Sequence, residues 1–115
     1  MRRRSSSSVR IFYPPYTLDE LLDLLRRGMP ELRRKLPVKR VVLFGSYAKG
    51  RHTPASDVDL LVIYSGERRE DAYKLVRKTL KIRGLEPHVY SEEEYEAVRS
   101  TVERMIDGGI TIYGG

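Results

Sequence analysis

A length of 115 residues predicts one domain with a modest core and no separate acceptor-binding domain. The absence of Cys excludes disulfides and thiolate metal sites, and no apolar run approaches a membrane span. The net charge of +6 points towards polyanions, but Arg2, Arg3, Arg4 and Arg10 supply much of it and the remaining chain balances at +2, so nucleic acid is not the expected partner.

Residues 1–10 read as a disordered, solvated basic arm and residues 11–115 as the folded domain. Met1-Arg2-Arg3-Arg4 leads into serines and not into the apolar core of a signal peptide, which predicts a cytoplasmic protein. The chain lacks Asn, Gln and Trp while 33% of it is charged, a composition that predicts a heat-adapted source. Thr17 and Glu20 make a capping box for a helix carrying Leu18, Leu21, Leu22 and Leu25 on one face. Gly28 and Pro30 are expected to interrupt it, with a second short helical stretch running to Leu36.

Residues 39–44 form an apolar strand ending at Gly45, and Ser46 is placed to cap a short helix through Lys49 that stops at Gly50. A polar loop over 51–56 leads to a second strand at 57–64, whose apolar run from Leu60 to Ile63 marks it as central. Helical spacing of Ala72, Leu75, Val76, Thr79 and Leu80 predicts a helix between Arg68 and Arg83, ended by Gly84. A strand over 85–90 follows, with Pro87 marking it as an edge. Ser91 and Glu94 then cap a helix with Tyr95, Val98, Val102, Met105 and Ile106 inward. Gly108-Gly109 stops that helix and 110–113 is a last short strand.

The chemistry concentrates where the first two strands meet. Asp57 and Asp59 are two residues apart in a strand, so both carboxylates project from one face at the rim of a core. Charge there is costly unless paired or metal-bound, and two oxygen donors suit Mg²⁺, which completes its shell with waters and substrate phosphates. Gly45 lets a backbone approach a phosphate closely, and a helix tip at Ser46 offers unpaired N–H groups to an anion. Holding a triphosphate beside its metal is the arrangement phosphoryl transfer requires. Around this centre Lys49 and Arg51 either steer the triphosphate or are solvated, and Ser56 either caps the loop or orients Asp57. Tyr47 is a candidate to line the nucleotide cleft, His52 reads as a bland loop residue, and Glu92-Glu93-Glu94 complements a helix dipole.

Gly45-Ser46, Gly50, Ser56, Asp57, Asp59 and Leu60 resemble the signature of the DNA polymerase β-like nucleotidyltransferase superfamily, and the length resembles its minimal nucleotidyltransferase (MNT) proteins. The likeness extends over residues 17–113. It implies an α+β fold with a small mixed sheet flanked by helices, and transfer of a nucleoside monophosphate from a nucleoside triphosphate such as ATP. The implied binding groups are Gly45, Ser46, Lys49 and Ser56, and the implied catalytic and metal groups Asp57 and Asp59. It further implies a HEPN-domain toxin as partner, with this chain as antitoxin, in some pairs by adding AMP to the toxin.

A third acid assists such chemistry as ligand or base, and in the family it lies on the strand after the long helix. Here Glu86 fits that position, with His88 on the same face as the alternative. Two further readings stand beside the enzyme: a module that neutralises its partner by binding alone, and a modifier of nucleic-acid ends. An edge strand and the small size also favour a homo-oligomer.

Overall fold

A computed structural model describes residues 15–115. The arm expected over residues 1–10 lies outside the described residues. The first element is α1 (Leu18–Lys35), opened by the expected capping box: Thr17 Oγ1 accepts from Glu20 N–H at 3.1 Å and Glu20 Oε1 from Thr17 N–H at 2.8 Å. Leu21, Leu25, Met29 and Leu32 are its buried stripe.

The expected break at Gly28 and Pro30 does not occur, and α1 runs through both. Pro30 sits on the exposed side, so the Arg26 carbonyl it leaves unpaired is not committed to the core. Gly28 faces α2 (Ala72–Leu80), where a Cβ would lie 2.5 Å from Leu80 Cδ2, so the missing side chain lets the two helices approach. Packing of an amphipathic face outweighs local propensity here.

Strands β1 (Val38–Phe44), β2 (Val58–Tyr64), β3 (Leu85–Ser91) and β4 (Ile110–Tyr113) form a mixed sheet in the order β3-β2-β1-β4. β1 is antiparallel to β2 and to β4, while β2 and β3 are parallel and joined by the α2 crossover. The fold is thus α+β, as the sequence predicts, and β3 is an edge strand. One face buries Val41, Leu43, Val58, Leu60, Val62 and Leu85 against Leu21, Leu25, Leu32 and Val76 of α1 and α2. The other buries Val42, Phe44, Leu61 and Ile63 under Tyr95, Val102 and Ile106. Burial of β2 on both faces explains its uninterrupted apolar run.

Two helix boundaries differ from expectation. α2 stops at Leu80 because Lys81 takes the left-handed conformation (φ 51°) and donates its N–H to Arg77 O at 3.1 Å. Gly84 (φ 77°) instead turns the chain into β3. The single helix expected after Ser91 is divided into α3 (Glu92–Ala97) and α4 (Arg99–Met105) at Val98, which leaves helical geometry (φ −128°, ψ 24°) and is exposed, not inward. Splitting the helix turns Tyr95 and Val102 onto the same sheet face. Its capping box is intact: Ser91 Oγ accepts from Glu94 N–H at 3.1 Å and Glu94 Oε1 from Ser91 N–H at 2.9 Å.

Candidate active site

The end of β1 brings the backbone against a carboxylate. Phe44 pairs with Asp59 across β1 and β2, and Gly45 follows at φ 79°. A Cβ on Gly45 would lie 2.5 Å from Asp59 Oδ2 and 3.3 Å from Asp59 Cβ. Both the left-handed φ and the lack of space therefore demand glycine.

The expected helix over 46–49 is a single turn. Lys49 N–H donates to Gly45 O (3.2 Å), Gly50 N–H to Tyr47 O (3.2 Å) and Arg51 N–H to Ser46 O (2.9 Å), with Gly50 at φ 69°. That crossed pair of bonds around a left-handed glycine is a helix ending, reached here one turn after the start. Ser46 makes no side-chain cap among the described residues. What remains for an anion is local: the N–H groups of Ser46, Tyr47 and Ala48 donate to no acceptor among the described residues. One turn carries little dipole, so an anion here would meet bare N–H groups and not the end of a long helix.

Tyr47 does not line a cleft, because its ring is fully buried in the larger core and stacks on His52 with centroids 4.1 Å apart. Burial, and secondarily Tyr16, push the Tyr47 phenol pKa upward. His52 is thereby held against Tyr47 at the start of the loop. Ser56 Oγ accepts from Thr53 N–H at 2.8 Å, and Ser56 N–H donates to Thr53 O at 3.0 Å, so Ser56 closes the loop that delivers Asp57. Lys49 is exposed at the rim, its Cε 3.5 Å from where a Cβ on Gly108 would be.

Asp57 is exposed and lies immediately before β2, which begins one residue later than expected. Asp59 is within β2, its side chain 29% exposed. Alternation within β2 directs Asp59 towards the face that carries Leu61 and Ile63, and Asp57 precedes it by two residues. Two carboxylates beside unpaired backbone N–H groups match the donor set of Mg²⁺ carrying a polyphosphate, since that ion draws few ligands from protein.

Glu86 pairs in register with Asp59 across β2 and β3. Its carboxylate, however, accepts from Tyr73 Oη at 3.3 Å, and that hydroxyl accepts from Arg77 Nη1 at 3.4 Å. The bond to Tyr73, followed by weaker attraction from Glu86, raises the Arg77 pKa. His88 is the group brought to Asp59, with Nε2 3.4 Å from Oδ1, and its ring meets Phe44 edge-on at 5.0 Å. Among the described residues no three His, Cys, Asp or Glu side chains are assembled around a metal position. Tyr73 and Arg77 were not legible as partners of Glu86: helical spacing gives the buried face of α2, not which exposed side chain reaches round the sheet edge.

A strand-ending glycine packed on an acid of the next strand, with a second acid two residues earlier, is where the sequence pattern leads one to expect a nucleotidyltransferase site. The chain belongs to the nucleotidyltransferase domain family, which matches residues 25–109. Over 48 residues, 42% of this chain and 49% of the relative, it is 44% identical to a Methanocaldococcus jannaschii protein provisionally named a protein adenylyltransferase. The chain spans about half the length of the curated relatives it matches. Its fold is similar to a provisionally named nucleotidyltransferase from Sulfolobus solfataricus, with TM-score 0.57 and 20% identity over 85% of this chain and 84% of that one. It is also similar to a chain of the complex of tri-AMPylated Shewanella oneidensis HEPN toxin with MNT antitoxin, with TM-score 0.52 and 18% identity over 82% of this chain and 73% of that one. At these identities the structural likeness establishes the fold.

Proposed function

We propose that the protein is a Mg²⁺-dependent nucleotidyltransferase that moves AMP from ATP to a hydroxyl of a HEPN-domain partner, acting as the antitoxin of that pair. The observation that carries this reading is the seating of Gly45 against Asp59. The names of the curated relatives support adenylyl transfer to protein, and the HEPN–MNT complex supports the choice of partner.

Gly45 and the N–H groups around Ser46 hold the β- and γ-phosphates, Lys49 adds positive charge at the rim, and Ser56 fixes the loop before Asp57. Asp57 and Asp59 would hold Mg²⁺, which would supply charge neutralisation for the phosphates. The acceptor oxygen attacks the α-phosphorus, the bond to the bridging oxygen breaks, and pyrophosphate leaves. Glu86 or His88 takes the acceptor's proton; Glu86 has one oxygen engaged by Tyr73, whereas His88 already faces Asp59. Use of ATP implies a cytoplasmic protein, and no helix among the described residues is long and apolar enough to cross a membrane.

Incubation with α-labelled ATP, Mg²⁺ and the HEPN protein tests the reading. Wild type should label the partner, and Asp57→Ala with Asp59→Ala should not. Equal labelling by both would reject catalysis by this pair.

The engagement of Glu86 by Tyr73 favours one alternative, a nucleotide-binding module that neutralises its partner by occlusion. A complex that forms equally with the double variant, with no transfer by wild type, would select it.

A further inference from the structure

The residues from Ala72 to Leu85 include Lys74, Arg77, Lys78, Lys81 and Arg83 and no acid, and all five cations are exposed. Lys74, Arg77, Lys78 and Lys81 follow helical i, i+3, i+4, i+7 spacing, so they form one outward stripe along α2 and its cap. Like charges at these spacings repel. On α1 the same problem is relieved by ion pairs: Arg27 with Asp23 at 2.9 Å, Lys35 with Glu31 at 3.3 Å, and Arg34 with Glu31. None of the five α2-region cations is in a direct ion pair among the described residues, Arg77 reaching Glu86 only through the Tyr73 hydroxyl, and residues 1–14 contain no Asp or Glu that could supply one. The acids of α3 are engaged elsewhere, Glu92 with Lys39, Glu94 with Arg68 and Glu96 with Arg99.

Two further features give the stripe a direction and a chemistry. Gly84 O accepts from Val58 N–H at 2.8 Å, and a Cβ on Gly84 would lie 3.9 Å from Ser56 O, so Arg83 stands beside the loop that delivers Asp57. At the other end Tyr73 is 42% exposed, with the Arg77 guanidinium carbon 6.0 Å from its ring centroid. Cations that track a backbone beside an open aromatic ring are how single strands are held without base readout. A protein partner with an acidic face would match the charge alone, but three lysines in a stripe of four suit phosphates better than a protein interface, where lysine is depleted.

We propose that the outer face of α2 binds single-stranded nucleic acid, phosphates along Lys74 to Lys81 and a base on Tyr73, with the strand leading to the rim at Arg83. Binding there requires neither ATP nor Mg²⁺ and does not depend on the transfer reaction.

Fluorescence anisotropy with labelled 20-nucleotide oligouridylate and oligothymidylate, at several salt concentrations, tests this. The full chain with Arg2, Arg3, Arg4 and Arg10 changed to Ser serves as parent, which removes the arm's charge. In that parent, Lys74→Gln, Arg77→Gln, Lys78→Gln and Lys81→Gln together should weaken binding about tenfold or more and lower the log–log salt slope by roughly 3. Tyr73→Leu alone should weaken it several-fold. Tighter binding of one oligonucleotide identifies RNA or DNA as the source within the proposal. A charge-matched control, Arg26→Gln, Arg34→Gln, Lys35→Gln and Arg104→Gln, should stay within about twofold of the parent. An equal loss in that control, no loss in the stripe variant, or a polyglutamate peptide binding as tightly as either oligonucleotide would overturn the proposal. Thermal unfolding of each variant excludes loss of fold, since every side chain substituted on α2, at its cap and in the control is exposed.

Discussion

Asp59 Oδ2 occupies the space that any side chain on Gly45 would need, 2.5 Å from the position of its Cβ. The backbone that would hold a phosphate and the carboxylate that would hold its metal are therefore in van der Waals contact, fixed by the Phe44–Asp59 register of β1 and β2.

Gly45→Ala tests that contact. The substitution forces a left-handed φ on alanine and displaces Asp59, at a cost of about 1–3 kcal/mol. A fall of several degrees in the unfolding midpoint, with loss of nucleotide binding, is expected. Wild-type stability and affinity would mean that the strand end can relax without moving Asp59.

Lys81 offers the opposite effect. It caps α2 at φ 51°, where glycine is the better residue. Lys81→Gly should stabilise the protein by about 0.5–1 kcal/mol, read as a higher urea midpoint with unchanged slope. A lower midpoint would show that the lysine stem contributes packing that outweighs the backbone cost.

Glu103 predicts a pH dependence. It accepts from Tyr95 Oη at 2.5 Å and from Arg40 Nη1 at 2.7 Å, and the first of these bonds chiefly holds its pKa below the ordinary glutamate value near 4.5. A lowered folded-state pKa contributes stability that is present above the unfolded value and lost as pH falls through the folded one. Urea midpoints should therefore drop below about pH 4.5, and Glu103→Gln should flatten that part of the profile. The side chain is 41% exposed, so solvent and salt reduce the effect. An acid limb unchanged by the substitution would assign the loss to other carboxylates.

Much of the frame was readable where the signal is local. The Thr17–Glu20 and Ser91–Glu94 boxes, the apolar run of β2 and the closing strand 110–113 each rest on neighbours in sequence, and all four are present. The departures come from contacts between distant residues. Gly28 stays helical because Leu80 fills the space beside it, and Tyr47 is drawn into the core instead of the cleft. In the site, Gly45 is packed on Asp59, and Asp57 stands just ahead of the same strand. The direction of Glu86 was not readable, since it depends on Tyr73 reaching round the edge of β3.

Calorimetric titration of a non-hydrolysable ATP analogue with and without Mg²⁺, into wild type and Asp59→Ala, tests the central claim most directly. The account predicts Mg²⁺-dependent binding by wild type, weakened about tenfold or more when either the ion or the Asp59 carboxylate is removed. Equal affinity in all four titrations, or no binding at millimolar concentrations, would contradict it.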